Sequence, residues 1–226
     1  MMQNIDWNAF IIPIVLSLKI SIVASIVVFV LGLIAAWFMV HKRFKGRIVI
    51  ETLFMLPLVL PPTVVGFALL VVLGRKSWLG RTLEALFQQP IVFTWQAGVI
   101  ASVIVSFPLV YQFIKVGFLS VDKDMEDASR SMGATEWQVL RFISIPLAWR
   151  SLVSGFVLGF ARSLGEFGAT LMIAGNIPGK TQTVPTAIYI AVDSGRVDLA
   201  WYWVISIVLT SFFMLIIVSK QKKEEV

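Results

Sequence analysis

Cysteine is absent from this chain and histidine occurs once. The first absence excludes disulfides, thiolate metal sites and a cysteine nucleophile. The second leaves His41 alone in a basic loop, where it reads as a headgroup-facing residue. Charge is scarce as well: 14% of residues are charged against 58% hydrophobic, and the mean hydropathy is +0.88, too apolar for a soluble domain. No internal repeat and no Ser- or Pro-rich linker divides the chain, so residues 1–226 read as a single transmembrane domain. The opening MMQNIDWNAF lacks a basic n-region. A cleavable signal peptide is therefore not expected, and the first hydrophobic run serves as an uncleaved anchor.

Five segments are long enough to cross a hydrocarbon core about 30 Å thick. They lie at roughly Pro13 to Val40, Ile48 to Leu73, Trp95 to Phe118, Leu152 to Ala174 and Leu199 to Val218. Pro57, Pro61, Pro62 and Pro108 fall inside spans and predict kinks. Orientation follows from Lys and Arg in alternate loops. His41 to Arg47 carries four, Leu119 to Ser151 four and the tail after Ser219 three, eleven in all. Before Pro13 there is none, Gly74 to Thr94 holds three and Gly175 to Asp198 two, five in all. The richer side is inside, which puts the N-terminus outside and the C-terminus in the cytoplasm. The formal charge of +6 comes largely from these loops and needs no nucleic acid to explain it.

One stretch breaks the apolar pattern: DKDMEDASRSMGATEWQVLRFISIP, Asp122 to Pro146, in a polar loop of about 120–147. Asp122, Asp124, Glu126 and Asp127 crowd a first helical turn, where exposed N–H groups favour negative charge. Gly133 suits a left-handed helix stop, and Thr135 with Gln138 makes a capping box that restarts the chain. Two short helices joined by a bend are expected, with Pro146 opening the next element. Trp137, Val139, Leu140, Phe142 and Ile143 give the second helix a large apolar surface in need of a partner. An amphipathic helix lying on lipid is the alternative, but such helices usually carry a basic polar face and this one begins acidic.

The order Asp127-Ala128-Ser129, three residues, Gly133, nine residues, Ile143-Ser144-Ile145-Pro146 resembles the EAA loop of ABC importer permeases. Three mild departures are Asp127 for Glu, Ser129 for Ala and Ile145 for Leu. The blocks LPLVLPPTVVGF, SFPLVYQFIKVGF and ARSLGEFGATLMIAGNIPGKTQTVPTAIY are similar to molybdate permeases and, less closely, to sulfate permeases.

This resemblance implies an all-α, polytopic helical bundle of the type I importer permease kind. It further implies a homodimer in the cytoplasmic membrane with two cytoplasmic ABC ATPase subunits and an extracytoplasmic molybdate-binding protein. ATP would be bound by the partner ATPase, with no cofactor on this chain and no catalytic residues. Glu126, Asp127, Ala128, Ser129, Gly133, Ala134, Ile143 and Pro146 would couple to that ATPase. A tungstate or sulfate/thiosulfate permease is the neighbouring alternative. An ATP-independent channel or secondary transporter, or a membrane-embedded enzyme, would belong to other classes. The sparse intramembrane polar residues argue against the enzyme.

Two further features need weighing. Ala174 to Thr181, AGNIPGKT, ends like a phosphate-binding P-loop but has Ala where the first Gly belongs and follows a membrane span. Arg162 and Glu166 in the fourth span are spaced to pair on one helix face. Ionisable residues at membrane depth usually face a bundle interior or a water-filled cavity. A gate and a structural salt bridge are both open readings. With Pro61 and Pro62 they form the candidate pathway set. Gly155 and Gly159 stand in GxxxG spacing and predict a close helix or subunit contact. Lys19, between Ser17 and Ser21, is expected to snorkel toward the outer interface.

Overall fold

The computed structural model describes residues 7–42 and 44–223, and every element in it is helical. Residues 1–6, read above for a leader, Arg43 of the basic loop and the last three residues lie outside the described part. In chain order the helices are α1 (Trp7–His41), α2 (Arg47–Val59), α3 (Pro62–Leu73), α4 (Trp78–Phe87), α5 (Trp95–Leu119), α6 (Lys123–Ser131) and α7 (Glu136–Val139). A π turn (Leu140–Ser144) follows, then α8 (Ile145–Leu164), α9 (Gly168–Ala174), α10 (Val184–Asp193) and α11 (Val197–Lys223).

Three described stretches are long and apolar enough to cross a membrane: Ala9–His41, Trp95–Leu119 and Glu136–Leu164. A fourth arises if α2 and α3 count as one broken span. The expected fifth span falls on α11, whose described apolar part, Val197–Phe213, is a shorter helix. The 35 residues of α1 rise about 50 Å at 1.5 Å each, well beyond the hydrocarbon core.

Two spans depart from expectation. Ile48 to Leu73 is not a kinked rod but two helices bent by 113°. Leu60 and Pro61 each precede a proline, which disfavours the helical region; they sit at φ −71°, ψ 141° and φ −53°, ψ 137°, and Pro62 opens α3. Pro57 and Pro108, by contrast, stay inside α2 and α5. The segment expected at Leu152 to Ala174 stops at Leu164, turns through Gly165 to Phe167 and resumes as α9. The membrane-length helix begins instead at Glu136, inside the polar island.

The core joins α1, α5 and α8 through Val28, Val110, Tyr111, Ile114 and Leu152, each no more than 1% exposed. Glycine sets these distances. A Cβ on Gly159 would lie 2.6 Å from Val110 Cγ2, and one on Gly155 3.2 Å from Phe113 Cβ, so the GxxxG pair packs within this chain. A second core seats α3 on α9, and a third ties α10 and α11 to the start of α1. There Trp203 Nε1 donates to the Phe10 carbonyl at 3.1 Å.

Candidate functional site

The polar island folds into two helices at a sharp bend, each end specified locally. The Asp122 carboxylate accepts from the Asp124 N–H at 2.9 Å and caps α6. At the other end, Ala134 N donates to Ser129 O at 3.1 Å and Gly133 N to Arg130 O at 2.9 Å, the two bonds of a Schellman stop. Gly133 supplies the left-handed residue at φ +91°. Thr135 and Gln138 then form the expected capping box: Thr135 N donates to Gln138 Oε1 at 2.8 Å, and Gln138 N to Thr135 Oγ1 at 3.4 Å.

Across the bend lies Arg130, which sequence reading passed over. Its guanidinium reaches Asp127 Oδ1 at 2.7 Å, Glu136 Oε1 at 2.9 Å and Glu126 Oε2 at 3.4 Å, so one cation ties α6 to α7. The Arg130 hydrogen bonds hold the Glu136 carboxyl below its ordinary range against the opposing effect of burial, and charge from Arg130, His41 and Lys42 adds to the lowering.

The second helix is not a separate element. Helix α7 runs without a break through the π turn into α8, so the second half of the polar island and the membrane-length helix are one continuous element. Pro146 explains the wide turn: its ring would clash with the carbonyl four residues back in an α-helix, and the π turn of Leu140–Ser144 relieves the crowding. The outer surface is apolar. Met132, Trp137 and Phe142 are 83%, 64% and 65% exposed. Ser129, Met132, Gly133, Ala134, Gln138, Val139, Phe142 and Ile143 line an open groove of about 380 Å³. Asp127 and Ala128 lie exposed beside it, and Pro146 sits at the head of α8.

Glu126 differs from its acidic neighbours. Among the described residues of α6, it is the buried one, at 4% exposure. Ser144 Oγ donates to its Oε1 at 2.6 Å, and His41 Nε2 lies 3.0 Å from its Oε2. The expectation that His41 faces headgroups is thus corrected. Its ring lies against Trp37, with centroids 3.6 Å apart, and Nδ1 lies 3.0 Å from the Trp37 carbonyl. His41 and Glu126 are 85 positions apart, and nothing in that spacing selects one acid among four.

The membrane candidates also come together. Arg162 Nη1 lies 2.8 Å from Glu166 Oε2, but the pair spans the helix break instead of lying along a continuous helix face. Glu166 Oε1 also accepts from Ala169 N at 2.9 Å, at the first turn of α9. The Glu166 side chain is 1% exposed and that of Arg162 33%. Pro62 packs beside the same break, 3.0 Å from where a Gly168 Cβ would lie, while Pro61 precedes it at the start of α3. The neighbouring cavity, lined by Ser17, Ser21, Ser102, Ser163, Glu166 and Thr170 among others, holds only about 10 Å³, the volume of one water. Lys19 stacks its ammonium over the Trp95 ring at 3.8 Å. The GKT loop closes on itself: Lys180, Thr181 and Gln182 all donate their N–H to the Ile177 carbonyl, so those amides do not point at a phosphate.

A polar hinge with an apolar groove, continuous with a membrane-length helix in a helical bundle, fits one class: a transport subunit embedded in the membrane. The comparisons agree with that class. The chain belongs to the binding-protein-dependent transport system inner membrane component family, whose model matches residues 28–221. It is 53% identical over 97% of its length, and 97% of the relative's, to YvgM of Bacillus subtilis, which carries a molybdenum transport permease description. It is 39% identical to the molybdenum transport permease ModB of Escherichia coli K12, covering 93% of this chain and 91% of ModB. The MetNI methionine ABC transporter, captured facing inward, shares the fold: the TM-score is 0.72 at 13% identity, covering 97% of each chain.

Proposed function

We propose that this chain is the membrane permease of an ATP-driven importer that carries molybdate into the cell. It works as a homodimer seated on two cytoplasmic ATPase subunits and is supplied by an extracytoplasmic binding protein. The segment from Asp122 to Ser144 carries the reading: a rigid bend presents Met132, Trp137 and Phe142 around a groove, and α7 continues into a membrane span. An ATPase that grips this groove and moves on binding ATP swings α8 directly, and the bundle alternates between its two openings. The eleven basic residues on the segment's side support its cytoplasmic placement, with the N-terminus outside.

Molybdate as substrate follows from relatives such as YvgM and ModB. The internal cavity beside Glu166 has no room for a tetrahedral oxyanion, which favours a pathway between two copies. The exposed apolar residues of α2 and α3, among them Leu53, Leu56, Val64 and Phe67, offer surface for that contact as well as for lipid. Co-expression with the ATPase and binding protein and reconstitution into liposomes tests the reading, with molybdate, tungstate and sulfate compared. Uptake driven by ATP and by molybdate-loaded binding protein is expected. A complex that responds to sulfate alone moves the substrate assignment, and failure to capture any ATPase defeats the coupling assignment.

A further inference from the structure

We infer that His41 and Ser144 are positioning residues that turn movement of the docked segment into movement of α1 and α8, by gripping the Glu126 carboxylate. The inference rests on the proposal that an ATPase docks on this segment. Helix α6 has little apolar surface turned inward: Met125 is 52% exposed, and among its described residues only Glu126 is buried. The buried Glu126 carboxylate therefore joins α6 to α1 and to the base of α8, beside the Arg130 tie to α7.

The anchor points belong to different parts of the machine. Ser144 closes the π turn at the base of α8, and its hydroxyl donates to Glu126 Oε1 at 2.6 Å. His41 is the last residue of α1, with Nε2 3.0 Å from Glu126 Oε2 and Nδ1 3.0 Å from the Trp37 carbonyl. The Trp37 carbonyl can only accept, so Nδ1 is the donor on that side and Nε2 is left facing the Glu126 carboxyl group. Trp37 stacks under the ring and meets Phe118 at the end of α5, centroids 5.6 Å apart. Displacing α6 therefore pulls on α1 through His41, on α8 through Ser144 and, by way of Trp37, on α5. Neither the two gripping groups nor Glu126 itself lines the exposed groove beside Met132 and Phe142.

The test measures ATP hydrolysed and molybdate taken up in the reconstituted transporter. His41→Ala and Ser144→Ala are expected to leave ATPase capture intact while cutting uptake about tenfold more than hydrolysis, so that more ATP is spent per anion. His41→Gln, which keeps a polar group but not a ring that reaches both partners, is expected to fall between wild type and His41→Ala. In the double variant His41→Ala/Glu126→Gln the second change is expected to add little. Uptake and hydrolysis falling in proportion, unchanged uptake, or multiplying effects in the double variant overturns the strut. If His41→Ala fails to fold, His41→Gln and Ser144→Ala decide by the same ratio. A wild-type chain that captures no ATPase overturns the docking proposal and the strut with it; a wild-type complex with normally coupled variants overturns the strut alone.

Discussion

Gly133 separates two jobs that one residue can do in a bend. Its φ of +91° requires the left-handed region, so replacing it with Ala costs about 1 kcal/mol of backbone strain. No heavy atom lies within 4 Å of where a Cβ would stand, so the bend itself has room for one. Asn and Asp tolerate the left-handed region better than Ala. The chain's own stability is therefore expected to rank Gly, then Asn, then Ala. A loss of about 1 kcal/mol weakens the bend by only about fivefold. Gly133 also lines the groove, so a side chain there projects toward whatever docks. Capture of the ATPase is then expected to follow size and charge: Gly, then Ala, then Asn, with Gly133→Asp the worst. Thermal unfolding of the purified chain gives the first order and co-purification with the ATPase gives the second. If capture follows the stability order, with losses within about fivefold, Gly133 merely shapes the bend and its role as a docking contact is refuted.

Other predictions concern the buried charges and the tight helix contacts. Arg162→Ala is expected to destabilise the chain more than Glu166→Gln does, because it strands a carboxylate that is 1% exposed, at a cost of up to about 3–5 kcal/mol. Glu166→Gln leaves an arginine that is 33% exposed, and equal losses in thermal unfolding would contradict this asymmetry. Glu136 titrates below its ordinary value of 4.5, so its contribution to the α6–α7 bend is complete above that pH and lost as pH falls through the lowered value. Arg130→Gln is expected to remove this acid sensitivity, read as proteolysis of the loop between pH 3 and 5 (about the carboxylate range). Gly66→Ala is expected to disturb the α3–α9 contact more than Gly159→Ala disturbs α5–α8. Its Cβ would meet backbone, Ala169 Cα at 2.8 Å, whereas that of Gly159 meets a Val110 methyl at 2.6 Å, and overpacking costs about 1–3 kcal/mol. Comparable unfolding midpoints for the two variants would count against that reasoning.

What the sequence determined by itself was whatever acts over one or two helical turns. Hydropathy located two membrane-length helices, α1 and α5, Asp122 and the Thr135–Gln138 pair marked helix starts, and Gly133 marked a stop, because caps and left-handed glycines involve neighbours within a few positions. The paired prolines at Pro61 and Pro62 announced a disturbance. Tertiary packing turned it into a bend of 113°, because α3 could settle on α9 at Gly66. It likewise carried α7 into α8 through the π turn. Only the packing of α1 against α5 and α8 decided that the lone histidine meets Glu126. That contact joins residues 85 positions apart, and no local pattern encodes which of four acids turns inward.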